Sequence, residues 1–167
     1  MRRGLHTLAS FFLYWLHMLA ALTLTVFVFT TADCPISNRY APEIQRLAAT
    51  YGDSAKFVLV YPVASDTPQV ISAHKKKFNY TLEHVRDAEQ KLLKRIGATV
   101  TPEVALTKGD TLLYRGRIDD RFVELGKERA KPTTHDLEDA LKAAIAGKPI
   151  VVTKTQAVGC ILADLVQ

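Results

Sequence analysis

Residues 29–40 read FTTADCPISNRY and place a cysteine followed by a proline between an apolar and a polar segment. The preceding residues 22–30, LTLTVFVFT, are rich in β-branched and aromatic side chains and predict a buried strand. Residues 38–51 carry apolar side chains at helical spacing and predict an amphipathic helix. Cys34 is therefore expected where a strand passes into a helix. A C-x-x-C dithiol motif would have its second cysteine at the position of Ser37.

The rest of the chain alternates strands and helices. A strand–helix–strand unit nearly always makes a right-handed parallel pair, and two apolar runs joined by a Gly-containing turn predict a hairpin. The predicted elements are a strand at 56–62, a loop at 63–68, helices at 70–78 and at 87–96 (capped near Asp87), a hairpin of 101–107 with 111–116, a loop at 117–133, a helix at 134–146 with Thr134 as its N-cap, and a tail at 150–167.

The amino terminus combines positive charge with a long apolar run. Met1-Arg2-Arg3 precede residues 8–29, which are nearly free of charged groups. We expect an apolar helix at about residues 5–20, with residues 1–21 as a signal peptide or membrane anchor and residues 22–167 as one domain. The positive charges would then keep the amino terminus inside and place the domain extracytoplasmically, on the periplasmic side. An early start codon or an extra packing helix is the alternative, and it would leave the protein cytoplasmic.

The totals exclude several classes of function. The 167 residues are 48% hydrophobic and 23% charged, which is ordinary for a globular domain. The net charge of +5 comes from scattered side chains without a basic stripe of stacking aromatics, so we expect no nucleic-acid binding. The five histidines form no metal-binding motif, and we expect neither a metal nor a cofactor. Two cysteines allow two buried thiols, one structural disulfide or a redox pair.

Cys34 stands where a thiol is readily activated. A thiol attacks as the thiolate, and its ordinary pKa is about 8.5, so a reactive site must stabilise negative charge. The first turn of a helix offers unpaired backbone N–H groups and the positive end of the helix dipole. Pro35 suits this position because the first turn tolerates a missing N–H. Arg39, about one turn along, would add a positive charge. The alternative is an inert thiol at the end of a strand.

The motifs together resemble a known family. Cys34-Pro35 at a strand-to-helix junction, with Thr101-Pro102 before a hairpin strand, resembles the thioredoxin superfamily. The chain is more closely similar to the redoxin group that includes alkyl hydroperoxide reductase and thiol-specific antioxidant (peroxiredoxin-like) proteins. The resemblance covers about residues 22–162 and is carried by DCPISNRYAPE (33–43), TPEVAL (101–106), YRGRIDDRF (114–122), HDLEDAL (135–141) and VGC (158–160). It implies an α/β, thioredoxin-like fold: a central mixed sheet flanked by helices, preceded here by the apolar N-terminal helix.

The resemblance also implies roles for individual residues. Pro102 would take the cis form beside the catalytic sulfur, where Pro35, Thr101 and Pro102 would contact the substrate; an ordinary trans proline is the alternative. Thr31 matches a threonine that peroxiredoxins place three residues before the attacking cysteine. Phe27, however, stands where their pattern has a proline. Their positioned arginine would have to be one of three residues, Arg39, Arg115 or Arg117.

Ser37 separates this chain from dithiol oxidoreductases of the C-x-x-C type. A serine cannot attack a mixed disulfide, so Cys34 needs another resolving thiol. An external thiol or Cys160 would serve, as some peroxiredoxins carry a resolving cysteine in a carboxyl-terminal tail. Cys160 could equally be a buried thiol packed among apolar neighbours. The sequence leaves these alternatives open.

The sequence therefore predicts a thiol-dependent oxidoreductase with a single Cys-Pro active-site cysteine. Its catalytic residues would be Cys34, Cys160, Thr31 and Arg39. Its substrates would be a peroxide or protein and low-molecular-weight disulfides, with an external thiol as the reductant, in an antioxidant or exchange role. The alternative is a redox-silent thioredoxin-fold binding module or a metallochaperone-like protein, although Asn38 stands where copper chaperones of this fold have a second cysteine.

Overall fold

The computed structural model describes residues 23–162, which form one five-stranded mixed sheet with helices on both faces. The sheet order is β3-β2-β1-β5-β6; β1, β2 and β3 are parallel, and β5 and β6 are antiparallel to their neighbours. The elements are β1 (Leu24–Phe29), α1 (Pro35–Arg39), α2 (Ala41–Tyr51), β2 (Ala55–Tyr61), α3 (Pro68–Lys77), β3 (Glu83–Arg86), α4 (Lys91–Ile96), β4 (Val100–Thr101), β5 (Glu103–Lys108), β6 (Thr111–Gly116), β7 (Phe122–Glu124), β8 (Lys127–Glu128), α5 (Asp136–Ile145) and β9 (Cys160–Ile161).

Each face of the sheet has its own apolar core. Alternate residues of β1 face opposite sides because side chains alternate along a strand. Val26 and Val28 belong to the larger core, which α2 and α5 cover with side chains such as Ile44 and Leu141. The smaller core on the other face is Phe29, Val60, Val63, Leu93, Ile96, Ala98, Ala105 and Leu162. The two cores fix β1 in the middle of the sheet, with its carboxyl end leading to Cys34.

The helix predicted at residues 38–51 is divided in two. The α1 helix ends at Arg39 and α2 begins at Ala41, with Tyr40 between them. Pro42 lies in the first turn of α2, where its missing N–H cannot bond the carbonyl of Asn38, so the helix restarts there. The Tyr40 N–H donates to the Ile36 and Ser37 carbonyls and so closes the last turn of α1. The expected end of the helix at residue 51 is confirmed, with Gly52 as its C-cap.

Other element boundaries differ locally from the predictions. The strand β3 was not predicted, because its four residues are all exposed and carry no buried pattern. The α4 helix is shorter than predicted, and its N-cap is Gln90 and not Asp87. The Asp87 carboxylate nevertheless accepts hydrogen bonds from Leu92 N and Leu93 N in the first turn. The N-cap of α5 is His135, so the choice of Thr134 was wrong; the Thr134 hydroxyl donates to Asp136 instead.

The predicted loop at 117–133 contains the small antiparallel pair β7–β8, and the tail contains β9, which pairs with β4. The predicted apolar helix at about residues 5–20 lies outside the described residues. Within residues 23–162, no helix has the length and apolar character needed to cross a membrane.

Candidate functional site

Cys34 is the N-cap of α1, as the Cys-Pro sequence predicts. It has an extended backbone, with φ −79° and ψ 111°, and Pro35 follows in the first turn. Its amide donates to the Thr31 carbonyl at 3.3 Å. The Ser37 amide points back at the Cys34 sulfur at 3.5 Å, so the sulfur occupies the place of a capping oxygen. The side chain is buried, with only 1% of the residue exposed.

The Thr101–Pro102 peptide bond is cis, as the family resemblance implied. It brings the Thr101 carbonyl to 3.0 Å from the Cys34 sulfur, which donates its S–H to that oxygen. Thr101 and Pro102 are both buried. The backbone just before the cis bond therefore forms one wall of the thiol site.

Cys160 reaches the same place from the tail of the chain. The strand β9 pairs antiparallel with β4, and Cys160 stands opposite Thr101. The sulfur atoms of Cys160 and Cys34 are 2.8 Å apart, and both cysteines are free thiols. A disulfide needs a sulfur separation of about 2.05 Å, so a movement of under about 1 Å would let the bond form. Cys160 thus stands beside Cys34 in space, 126 residues away in sequence.

The surroundings of Cys34 favour its thiolate. Burial raises the pKa of the Cys34 thiol. Hydrogen bonds that the thiolate would accept from the Cys160 thiol, the Ser37 hydroxyl and amide and the Thr101 hydroxyl outweigh burial and hold the pKa below its ordinary value. Burial and the neighbouring Cys34 raise the pKa of Cys160 to about 12. The two thiols are therefore unequal: Cys34 loses its proton first, and the Cys160 S–H stabilises the resulting charge.

Two buried hydroxyls are available to donate hydrogen bonds to the Cys34 thiolate. The hydroxyl oxygens of Ser37 and Thr101 are buried without any hydrogen-bond partner in the described part of the chain. As donors to the ionised sulfur, both hydroxyls lower the pKa of Cys34. A buried hydroxyl without a partner costs free energy, which the thiolate would recover by accepting these bonds. Ser37 thus contributes a backbone N–H and a side-chain O–H at the position where C-x-x-C proteins have a sulfur.

Thr31 and Arg39, the other two proposed catalytic residues, are held by other partners. Thr31 is buried, and its hydroxyl accepts from the Asp33 amide at 3.3 Å. Arg39 forms an exposed ion pair with Glu128 at 2.5 Å. Its side chain is 61% exposed. Neither side chain has a hydrogen bond to a sulfur atom among the described residues.

The other two arginines considered are also paired with carboxylates. Arg115 pairs with Glu103 at 3.2 Å, and Arg117 pairs with Asp136 at 2.8 Å. Pro35, one of the expected substrate contacts, is exposed at the start of α1. It is thus open to a molecule approaching Cys34.

A buried polar chain secures the loop before Cys34. Asn38 Nδ2 donates to the Ala32 carbonyl at 3.0 Å, so Asn38 Oδ1 accepts from His74 Nε2 at 2.7 Å. The remaining nitrogen, His74 Nδ1, then accepts from the Tyr61 hydroxyl at 2.8 Å. Burial, aided by the Lys77 cation, lowers the pKa of His74, which keeps the ring neutral. The chain connects α3 and β2 to the turn that positions Cys34.

Sequence reasoning missed the contributions of Ser37, Asn38 and His74. Ser37 and Asn38 follow Cys34 by three and four residues, so a helix start at Cys34 already placed both within one turn of the sulfur. His74 had no such signal, because its contact with Asn38 spans 36 residues.

One group of possible metal ligands occurs within residues 23–162, formed by Glu43, Asp119 and His135. It includes neither cysteine. Arg46 already binds the Glu43 carboxylate, and Tyr40 donates to Asp119. The expectation that the thiol site works without a metal stays a prediction.

The sheet order, the Cys-Pro helix start and the facing cis proline define a protein of the thioredoxin-like fold, as the sequence motifs implied. A hypothetical protein of Sinorhizobium meliloti 1021 superposes with a TM-score of 0.73 at 25% identity, covering 88% of this chain and 82% of its own. An uncharacterized conserved protein of Geobacillus kaustophilus gives a TM-score of 0.72 at 23% identity, covering 84% and 77%.

A secreted disulfide oxidoreductase of Mycobacterium tuberculosis gives a TM-score of 0.50 at 21% identity, covering 77% of this chain and 85% of its own. At this level of identity the likeness concerns the fold. No family model and no curated protein matches the sequence. The chain thus has a thioredoxin-like fold in which the thiols of Cys34 and Cys160 are in contact.

Proposed function

We propose that this protein is a thiol–disulfide oxidoreductase in which Cys34 attacks and Cys160 resolves. The observation that carries the proposal is the 2.8 Å separation of the two sulfur atoms beside the cis Thr101–Pro102 bond. The unequal pKa values of the two thiols support the assignment, because the thiol that ionises more easily is the attacking one. Thiol–disulfide exchange is also the chemistry in the name of the M. tuberculosis protein of this fold.

The reaction proceeds in two exchanges. The Cys34 thiolate attacks one sulfur of a substrate disulfide, forms a mixed disulfide and expels the other sulfur as a thiolate. Cys160 then loses its proton and attacks the Cys34 sulfur, which forms the Cys34–Cys160 disulfide and releases the second substrate thiolate. The substrate gains two electrons and the protein loses two. An external thiol reductant returns the protein to the dithiol by the same exchange in reverse.

The residues around Cys34 have distinct roles in this scheme. The Ser37 amide and the hydroxyls of Ser37 and Thr101 stabilise the Cys34 thiolate before it attacks the substrate. They stabilise it again when Cys34 leaves as a thiolate during re-reduction. Pro102 shapes the wall against which the substrate lies, and Pro35 is exposed at its rim. This assigns to Pro35, Thr101 and Pro102 the substrate contacts that the family resemblance implies.

The surroundings favour a disulfide over a peroxide as substrate. Peroxide cleavage needs stabilisation of the departing oxygen, and the family resemblance would assign that role to an arginine near the sulfur. Arg39, Arg115 and Arg117 are instead each paired with a carboxylate. Thr31 likewise bonds the neighbouring backbone. The antioxidant, peroxiredoxin-like role is therefore the second candidate, with Cys34 sulfenic acid as its intermediate.

Trapping the mixed disulfide tests the assignment. We expect Cys160→Ser, incubated with a peptide disulfide, to accumulate a mixed disulfide at Cys34, since no thiol remains to resolve it. Cys34→Ser should form little adduct at Cys160, whose thiol ionises poorly. Mass spectrometry of the two variants gives the result. The proposal is wrong if the adduct forms mainly on Cys160, or if the wild-type protein catalyses no exchange. Turnover of hydrogen peroxide instead of disulfides would favour the peroxidase.

We further propose that the protein works outside the cytoplasm, with residues 1–21 as its export signal or anchor. The paired arginines and the apolar run support this proposal, as does the secreted M. tuberculosis protein of the same fold. Fusing residues 1–21 to a reporter that is active only after export tests it. We expect the reporter to be active behind the wild-type segment and less active behind the Arg2→Glu/Arg3→Glu segment, which lacks the positive charges and is the control. An inactive reporter behind the wild-type segment would contradict the proposal.

A further inference from the structure

The attacking thiol lies beneath the tail of its own chain. Cys34 is only 1% exposed, and its sulfur lies 2.8 Å from the sulfur of Cys160 in the tail. A substrate disulfide must reach the Cys34 sulfur along the line of the new S–S bond, so the docked tail and the substrate compete for the same space. Exchange at Cys34 therefore requires the tail to move.

The tail is held at this place by its backbone and by a few apolar side chains. Cys160 and Ile161 pair with Thr101 and Val100, and the Leu162 amide donates to the Thr99 carbonyl at 2.9 Å. Leu162 is 1% exposed within the smaller core, whereas Ile161 is 54% exposed. Ala157 is also buried, and Val158 packs against the larger core. The backbone pairing nevertheless extends over only two residues, and so short a pairing can open locally without unfolding the domain.

Gly159 makes the close approach possible. A Cβ atom at this position would overlap the Thr101 carbonyl and would crowd the Pro102 nitrogen. These are backbone atoms on either side of the cis bond, so they cannot turn aside as a side chain could. Any residue other than glycine would push the tail away from β4 and would carry Cys160 away from Cys34.

We propose that residues 157–162 are an internal occupant of the substrate edge formed by Val100 and Thr101, and that Gly159 sets how firmly they are held. This inference rests on the proposed function. With the tail docked, Cys160 protects and then resolves Cys34. With the tail displaced, the backbone groups of Val100 and Thr101 become free to pair with another extended segment. The substrate best able to displace the tail is a disulfide within an extended peptide, which replaces the lost backbone bonds.

The Cys160→Ser background isolates the effect, because Cys34 is then the one thiol of the chain. In this background we expect Gly159→Ala to raise the rate of Cys34 alkylation by iodoacetamide about fivefold or more, as a loosened tail opens more often. Attack on an extended peptide disulfide should accelerate by a similar factor. Val151→Ala, at a tail residue that is 95% exposed, is the matched control and should change neither rate.

In the chain with both cysteines, Gly159→Ala should have the opposite effect on the second step. The mixed disulfide at Cys34 should persist longer, because Cys160 returns to it less often. Faster attack with slower resolution distinguishes displacement of the tail from a general loss of structure, which would slow both. Leu162→Ala, which removes the most deeply buried apolar side chain of the tail, should act in the same direction and serves if Gly159→Ala does not fold.

An unchanged or lower alkylation rate in the loosened variant would overturn the inference. Failure of the proposed function would look different, because alkylation of Cys34 requires no catalytic turnover. If the loosened tail exposes Cys34 but no disulfide is exchanged, the tail covers the thiol and the assigned reaction is wrong. If exchange occurs at the same rate with the tail loosened, the reaction stands and the tail is no obstacle.

Discussion

At the residue scale, the site depends on what stands three positions after Cys34. Ser37 supplies an amide at 3.5 Å from the sulfur and a buried hydroxyl that has no partner among residues 23–162. A cysteine there would compete with Cys160 for the resolving step. The serine instead leaves resolution to the tail and helps to hold the pKa of the Cys34 thiol below its ordinary value.

We therefore expect Ser37→Ala to raise the pKa of Cys34, because the thiolate loses one donor. The alkylation rate at pH 7 in the Cys160→Ser background should fall about threefold, since fewer molecules carry the thiolate. A pH–rate profile with iodoacetamide measures both changes. Ser72→Ala, on the exposed side of α3, is the control and should leave the profile unchanged. A profile that is the same in both variants would mean that the Ser37 hydroxyl does not reach the sulfur.

At the element scale, the turn between β1 and α1 is held from behind by α3 and β2. A series of hydrogen bonds runs from the Tyr61 hydroxyl through His74 and Asn38 to the Ala32 carbonyl. Each polar atom in it makes one hydrogen bond, and the imidazole is neutral. Because burial lowers the pKa of His74, the unfolded chain binds a proton more readily than the folded one. The contribution of His74 to the free energy of unfolding is thus complete above the ordinary histidine pKa and is lost as the pH falls below that value.

His74→Gln should remove that pH dependence. We expect the wild-type free energy of unfolding to decline as the pH falls below about 6.5, and the variant to lack this contribution. At pH 7 the variant should be less stable by about 1–3 kcal/mol, because Asn38 and Tyr61 lose their partner. Urea titrations between pH 5 and pH 8 measure both effects. His84→Gln, at an exposed residue of β3, should keep the wild-type slope; equal slopes in all three proteins would contradict the account.

The elements that could be read from the sequence are those with a local pattern. The β-branched run of β1 and Pro35 after the cysteine sufficed for the strand and the helix start, whereas the cis bond was implied by the family resemblance that Thr101-Pro102 carries. The break at Tyr40 also had a signal in Pro42, but the apolar spacing ran through it. The position of Cys160 had none, because β9 has two residues and owes its place to the edge offered by β4.

At the scale of the whole molecule, ion pairs join segments that lie far apart in sequence. Glu138 on α5 accepts from the Tyr51 hydroxyl at 2.8 Å and from Arg46 at 2.6 Å, which ties α5 to α2 over the larger core. Burial raises the pKa of Glu138, but these donors and Lys142 outweigh it and lower the pKa from 4.5 to about 2. A depressed carboxyl pKa means stability that is complete above pH 4.5 and is lost as the pH falls toward 2.

Glu138→Gln should therefore lower the free energy of unfolding at neutral pH and make it depend less on pH in acid. We expect a loss of about 1–3 kcal/mol at pH 7, since the neutral amide cannot replace the charged acceptor. The difference from the wild type should shrink as the pH falls from 4.5 toward 2. Thermal unfolding followed by circular dichroism measures it. Glu89→Gln, in an ion pair exposed on both sides, should behave as the wild type; a constant difference at every pH would contradict the role of the charge.

The central claim is that Cys34 and Cys160 of one chain form a redox pair. Its most direct test is peptide mapping of the full-length protein by mass spectrometry after mild oxidation and alkylation of the remaining thiols. The account predicts a monomer with no alkylated cysteine and one disulfide-linked peptide joining Cys34 to Cys160. A disulfide-linked dimer, or a monomer in which Cys34 is oxidised while Cys160 remains free, would contradict it.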